Sequence, residues 1–179
     1  SEDEEALKKL KEHIDRSREE SKRSLDRVKR EIERIREEIE RDLRRLREEL
    51  KKIEDRLRRD GPRRDDLERL LRRVEEEVER LKKKLDKLLE ELRKYVEDHK
   101  RRLDENLERI RDEIRRLREA GIDEDELRKL LEDAKRVHKR SKDELKRLLE
   151  EAEKVIRDAK RKIKKLLDEL RKVLEDARR

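Results

Sequence analysis

Apolar residues in this chain return every 18 positions, and no other feature limits its folding so tightly. Leu7, Leu10, Ile14, Ser17 and Ser21 open a seam that recurs as Leu25, Val28, Ile32, Ile35 and Ile39, then as Leu43, Leu46, Leu50, Ile53 and Leu57. The same interval links Leu67, Leu85 and Leu103, and Val74, Leu92 and Ile110. It links Leu127, Leu145 and Ile163, and Val137, Val155 and Val173, in the last third. Five seam positions in 18 residues give the pitch of a straight α-helix, about 3.6 residues per turn. A strict heptad would instead impose left-handed supercoiling. The expectation is therefore of nearly straight helices with little superhelical twist.

Only two places interrupt the pattern. At Asp60-Gly61-Pro62, the glycine suits a left-handed helix terminus and the proline cannot continue the helix. Asp65 with Glu68 then reads as a capping box. At Ala120-Gly121-Ile122-Asp123, Gly121 terminates and Asp123 caps, with Glu126 at the third helical position. Ile122 is placed to pack on Leu127. Ser1 and Glu4 repeat the capping pattern at the start. Three helices follow, over about 2–59, 66–119 and 124–178, and links this short make neighbours antiparallel. The expected fold is all-α, an up-down-up antiparallel three-helix bundle forming one domain over 1–179. Wider stripes on the second and third helices (Leu71, Leu89, Leu107; Leu131, Leu149, Leu167) suit contact with two neighbours.

Charge bears on what such a chain can do. Charged residues make up 64% and hydrophobic ones 29%, values typical of disorder, but helical spacing of the apolar residues argues against it. Basic and acidic residues interleave, so the net charge of +7 reads as a solvated surface. The basic run Lys160-Arg161-Lys162, Lys164 and Lys165, like Arg63-Arg64, has no aromatic stacking platform beside it. No specific nucleic acid, no membrane and no other partner is expected, and the chain reads as a monomer. Without Cys there is no thiol chemistry.

A few residues break the repeat. Ser17 stands where Ile35 and Ile53 do, Ser21 where Ile39 and Leu57 do, and His99 where Leu81 and Leu117 do. Asn106 matches Leu70 and Leu88, His138 matches Ile156 and Leu174, and Ser141 matches Ala159 and Ala177. His13, Ser24 and Tyr95 lie at the seam's edge, where their equivalents are charged. Folding at the two glycines brings Ser17, Asn106 and His138 level, Ser21 near Ser141, and Ser24 near His99. The expectation is a buried, structural hydrogen-bond network of Ser17, Ser21, Ser24, Tyr95, His99, Asn106, His138 and Ser141, since buried polar groups need partners.

Other readings of these residues are weaker. A zinc or haem site lacks ligand spacing, with His13 and His138 at most sharing an ion with a carboxylate. Ser24 with His99, or Ser17 with His138, would be a nucleophile–base pair without an evident oxyanion hole. No cofactor, no metal and no enzymatic activity are expected. Proton uptake by buried His99 and His138 is the most credible functional alternative.

The repeat, the capped glycine turns and an alphabet without Cys, Met, Trp, Phe, Thr or Gln resemble the de novo designed, parametrically generated helical bundles, long untwisted three-helix ones in particular. The resemblance spans the whole chain and implies a stable scaffold without enzymatic activity. A start at Ser1 is what a cleaved tag would leave. Spectrin-like repeats share the topology but carry buried aromatics that are missing here.

Overall fold

The computed structural model describes residues 1–61 and 63–178, with the backbone alone at 64 and 65. Three helices account for it: α1 (Glu2–Asp60), α2 (Arg64–Glu119) and α3 (Glu124–Arg178). Among the described residues there is no strand.

The helix ends show how local chemistry sets the boundaries. Ser1 Oγ accepts from Glu4 N at 3.3 Å, while the Glu4 carboxylate returns to the terminal ammonium at 3.6 Å, which closes the expected box. At α3, Asp123 Oδ1 accepts from Asp125 N at 3.1 Å. Glu126 turns instead to Lys11, at 3.2 Å, so that cap is one-sided. α2 begins at Arg64, earlier than expected, because the Arg63 carbonyl already accepts from Leu67 N. The capping proposed for Asp65, and Pro62 itself, lie outside the described residues.

Both glycines adopt positive φ, 70° at Gly61 and 81° at Gly121. Nothing lies within 4 Å of a Cβ placed at either, so backbone conformation and not crowding calls for glycine. The two stops differ in construction. Gly61 N donates once, to the Leu57 carbonyl. Gly121 N donates to Arg118 O while Ile122 N donates to Leu117 O, the paired bonds of a Schellman motif. Ile122 is buried in the same cluster as Leu127, with Leu117 packed against it.

The helices run through two compact units, Ser1–Glu31 with Leu92–Glu150 and Ile32–Glu91 with Glu151–Arg179. In the first unit, partners descend α2 as they ascend α1: His13 meets Glu113, Glu20 meets Asn106 and Arg27 meets Tyr95. The two helices are therefore antiparallel. α3 runs parallel to α1, because Lys11 pairs with Glu126 and Lys29 lies within electrostatic reach of Glu144. In the second unit Lys160 pairs with Asp86 and Arg171 with Glu75, so α3 and α2 are antiparallel there, and α1 joins them through Lys84 with Glu38 and Asp42 and through Arg36 with Glu151.

The seam supplies the core of each unit. Leu10, Val28, Val96, Ile114, Leu127 and Leu145 are sealed in the first, and Leu46, Leu67, Val78, Ala152 and Leu170 in the second. Burying one such Leu or Ile contributes roughly 1.5–3 kcal/mol before chain entropy is counted. Two expectations shift. Val137, Val155 and Val173 are half-buried at the seam's edge, and Ala134, Ala152 and Ala159 are buried in α3 instead. Leu7, Leu25 and Leu57 are likewise half-buried. Exposed large hydrophobic side chains are absent among the described residues.

Candidate functional site

All eight residues expected to form the polar network, and His13 beside them, fall within the first unit. Their burial is unequal. Ser21, His99 and Ser141 are buried, at 3%, 3% and 6% exposure. Ser17, Ser24, Tyr95, Asn106 and His138 are half-buried. This corrects the expectation of burial for those five: they sit where the seam meets charged helix faces, and long charged side chains reach them there.

The bonds these residues make run outward to that charged rim. Asn106 Nδ2 donates to Glu20 Oε2 at 3.5 Å. His138 Nε2 lies 2.7 Å from Asp104 Oδ1, which Lys142 Nζ also approaches at 3.1 Å. His13 Nδ1 lies 2.9 Å from Glu113 Oε2. Tyr95 carries the Arg27 guanidinium 4.5 Å above its ring centroid, a contact worth about 0.5–1 kcal/mol at an exposed site. Ser21 Oγ donates to the Ser17 carbonyl one turn back at 3.0 Å, a bond within α1. His99 Nε2 is buried with no partner, alone among the described side-chain atoms.

The juxtapositions read from the sequence are met in part. Ser17, Asn106 and His13 line one open cleft of about 570 Å³ between α1 and α2, together with Glu20, Arg109 and Glu113. His138 turns instead to Asp104. Ser24 is not bonded to His99 Nε2, and His138 Nε2 is occupied by Asp104, so neither proposed serine–histidine pair forms through these atoms. His13 and His138 meet different carboxylates. Among the described residues no group of three or more His, Asp or Glu side chains is placed to hold a metal ion. No described helix is long and apolar enough to cross a membrane.

Charge state follows these contacts. Burial pushes the His99 imidazole below its ordinary pKa. Glu20 opposes this shift and Arg102 adds to it. The hydrogen bond from His138 holds the Asp104 carboxyl below the usual range. Burial resists, and Lys142 assists. The expectation that His138 is a sealed core histidine is therefore corrected: a carboxylate receives it.

Sequence reasoning missed Glu20, Asp104, Glu113 and Arg27, since acidic and basic residues occupy nearly every outward position. One signal was available. Lys142 with Asp104 recurs as Lys160 with Asp86, displaced by 18 positions along each helix. The repeat that builds the core also builds ion pairs.

No protein-family model matches the chain, and no curated protein sequence matches it. A solved structure described as a computationally designed three helix bundle is similar to it, with a TM-score of 0.65 and 21% identity, over 99% of this chain and 89% of that one. With the helix order and register described above, the chain has the fold of an all-α, up-down-up three-helix bundle.

Proposed function

We propose that this chain is itself a designed structural scaffold, a monomer without natural biochemical activity. In this reading the polar residues of the first unit fix packing register through bonds to charged neighbours. The observation that carries it is the 18-residue repeat present in all three helices and extending to ion pairs such as Lys142–Asp104 and Lys160–Asp86. Fold likeness to a designed bundle adds support.

Thermal unfolding with a light-scattering mass tests the reading. One chain mass, independent of concentration, and a melting point above about 90 °C are expected. A mass that rises with concentration, or melting within the mesophile range of about 45–65 °C, contradicts it. A second reading, a proton-responsive module, is favoured by one observation: the buried, unpartnered His99 Nε2.

A further inference from the structure

Three histidines lie in the first unit, and two of them already face carboxylates: His13 faces Glu113 and His138 faces Asp104. His99 differs. Its ring is buried, its Nε2 has no partner, and the carboxylate acting on it is Glu20 of α1. Asn106 Nδ2 donates to Glu20 at 3.5 Å, longer than is usual for such a bond. Asn106 follows His99 by seven residues, two turns along the same face of α2. One carboxylate of α1 thus bonds Asn106 of α2 and acts on His99 of the same helix through its charge alone.

We propose that His99, Glu20 and Asn106 form a proton-operated latch, in which a proton taken from solvent by His99 transfers the Glu20 carboxylate from Asn106 to the imidazolium. The neutral ring carries one N–H, and the charged ring carries two and needs an acceptor. A buried cation without a counter-charge is costly, so the ring must either leave the core or recruit an anion. Glu20 is the anion whose charge acts on the ring, and its present hydrogen bond is the longest of those described between helices in this unit. Arg102, on His99's own helix, disfavours the charged ring. From α3, Lys142 and His138 face α2 but are tied to Asp104. Buried Leu145 and Leu148 are apolar. The lowered basicity of His99 agrees with this: the ring stays neutral until solvent is more acidic than an ordinary histidine requires. The latch does not depend on the chain's being a designed scaffold.

Side-chain NMR on the full chain tests it, with circular dichroism at each pH. The His99 ring and the Asn106 side-chain amide are expected to shift with one shared midpoint. In Glu20→Gln the Asn106 amide stops responding, and His99 titrates at lower pH than in the parent. In His99→Leu, which restores the residue found at 81 and 117, Asn106 responds only where carboxylates titrate. An Asn106 amide indifferent to the His99 midpoint in the parent overturns the latch, as does a response that survives unchanged in His99→Leu. Loss of helix signal at that midpoint overturns it too, because unfolding would then answer the proton.

Discussion

The two compact units are built from the same three helices on the same repeat, yet their cores differ. In the second unit, Ile39, Leu81 and Ala159 hold positions that Ser21, His99 and Ser141 hold in the first. All six are buried, so the contrast isolates polarity from position. It shows that the repeat sets where the seam runs, whereas the identity of a few residues sets how much each layer contributes. The first unit carries a buried polar atom without a partner, which costs about 1–3 kcal/mol. The second carries none among its described residues. Its cross-helix polar contacts, such as part-buried Lys84 with Glu38 and Asp42, pair opposite charges.

The largest test copies the first unit's exception into the second. Leu81→His should lower stability by about 3 kcal/mol or more, because it removes apolar burial and adds an unsatisfied polar group. A shift in the urea midpoint measures this. A negligible loss would mean the seam tolerates polarity anywhere, and the contrast would vanish.

The converse change is smaller. His99→Leu should raise stability by about 1–3 kcal/mol, since it removes an orphaned buried atom and fits the repeat. A loss of similar size would show that His99 is satisfied in solution, through water or a moved neighbour.

Much of the fold was legible in the sequence, and the reasons are specific. Gly61 and Gly121 could be read because only glycine sits cheaply at positive φ. The seam could be read because Leu and Ile seldom recur at helical spacing without being buried. The buried stripe of α3 was harder: Ala134 and Ala152 are buried there, but alanine is also frequent on surfaces, and the valines beside them carry the stronger apolar signal. The site was legible only as a set of misfits. That they fall level with one another on three helices followed from register. Their partners did not, because Glu20, Asp104 and Glu113 are three carboxylates among 54 acidic residues, and nothing in the sequence marks those three.

Titration sharpens the comparison further. His99 has a folded pKa below its ordinary value of 6.5, so its contribution is intact above that pH. As pH falls below 6.5 the unfolded chain takes the proton first, and stability declines until His99 itself is protonated. The urea midpoint of the parent should drop over this window, and that of His99→Leu should stay level. Asp104 and Glu144, the latter lowered chiefly by its hydrogen bond with Arg147, contribute above the ordinary carboxylate range and lose that contribution as pH falls through their lowered values. Lys84, in the second unit, behaves oppositely. Burial pulls its pKa down, but Glu38 and Asp42 outweigh burial and leave it above 10.5. Its contribution is present below that pH and lost as pH rises through the raised value.

The smallest effect belongs to the rim. Asp104→Asn removes the acceptor shared by His138 and Lys142, but Asp104 is 53% exposed. A loss of roughly 0.5 kcal/mol is expected from the urea midpoint, as for other exposed ion pairs. A loss of several kcal/mol would place His138 in a coupled network instead.

Native-state amide hydrogen exchange tests the contrast most directly, because it reads local opening residue by residue. Amides around Ile39, Leu81 and Ala159 should be better protected than those around Ser21, His99 and Ser141, and His99→Leu should narrow the gap. Equal protection in the parent, or stronger protection around the polar positions, would contradict the claim that these few substitutions decide where the bundle is weakest.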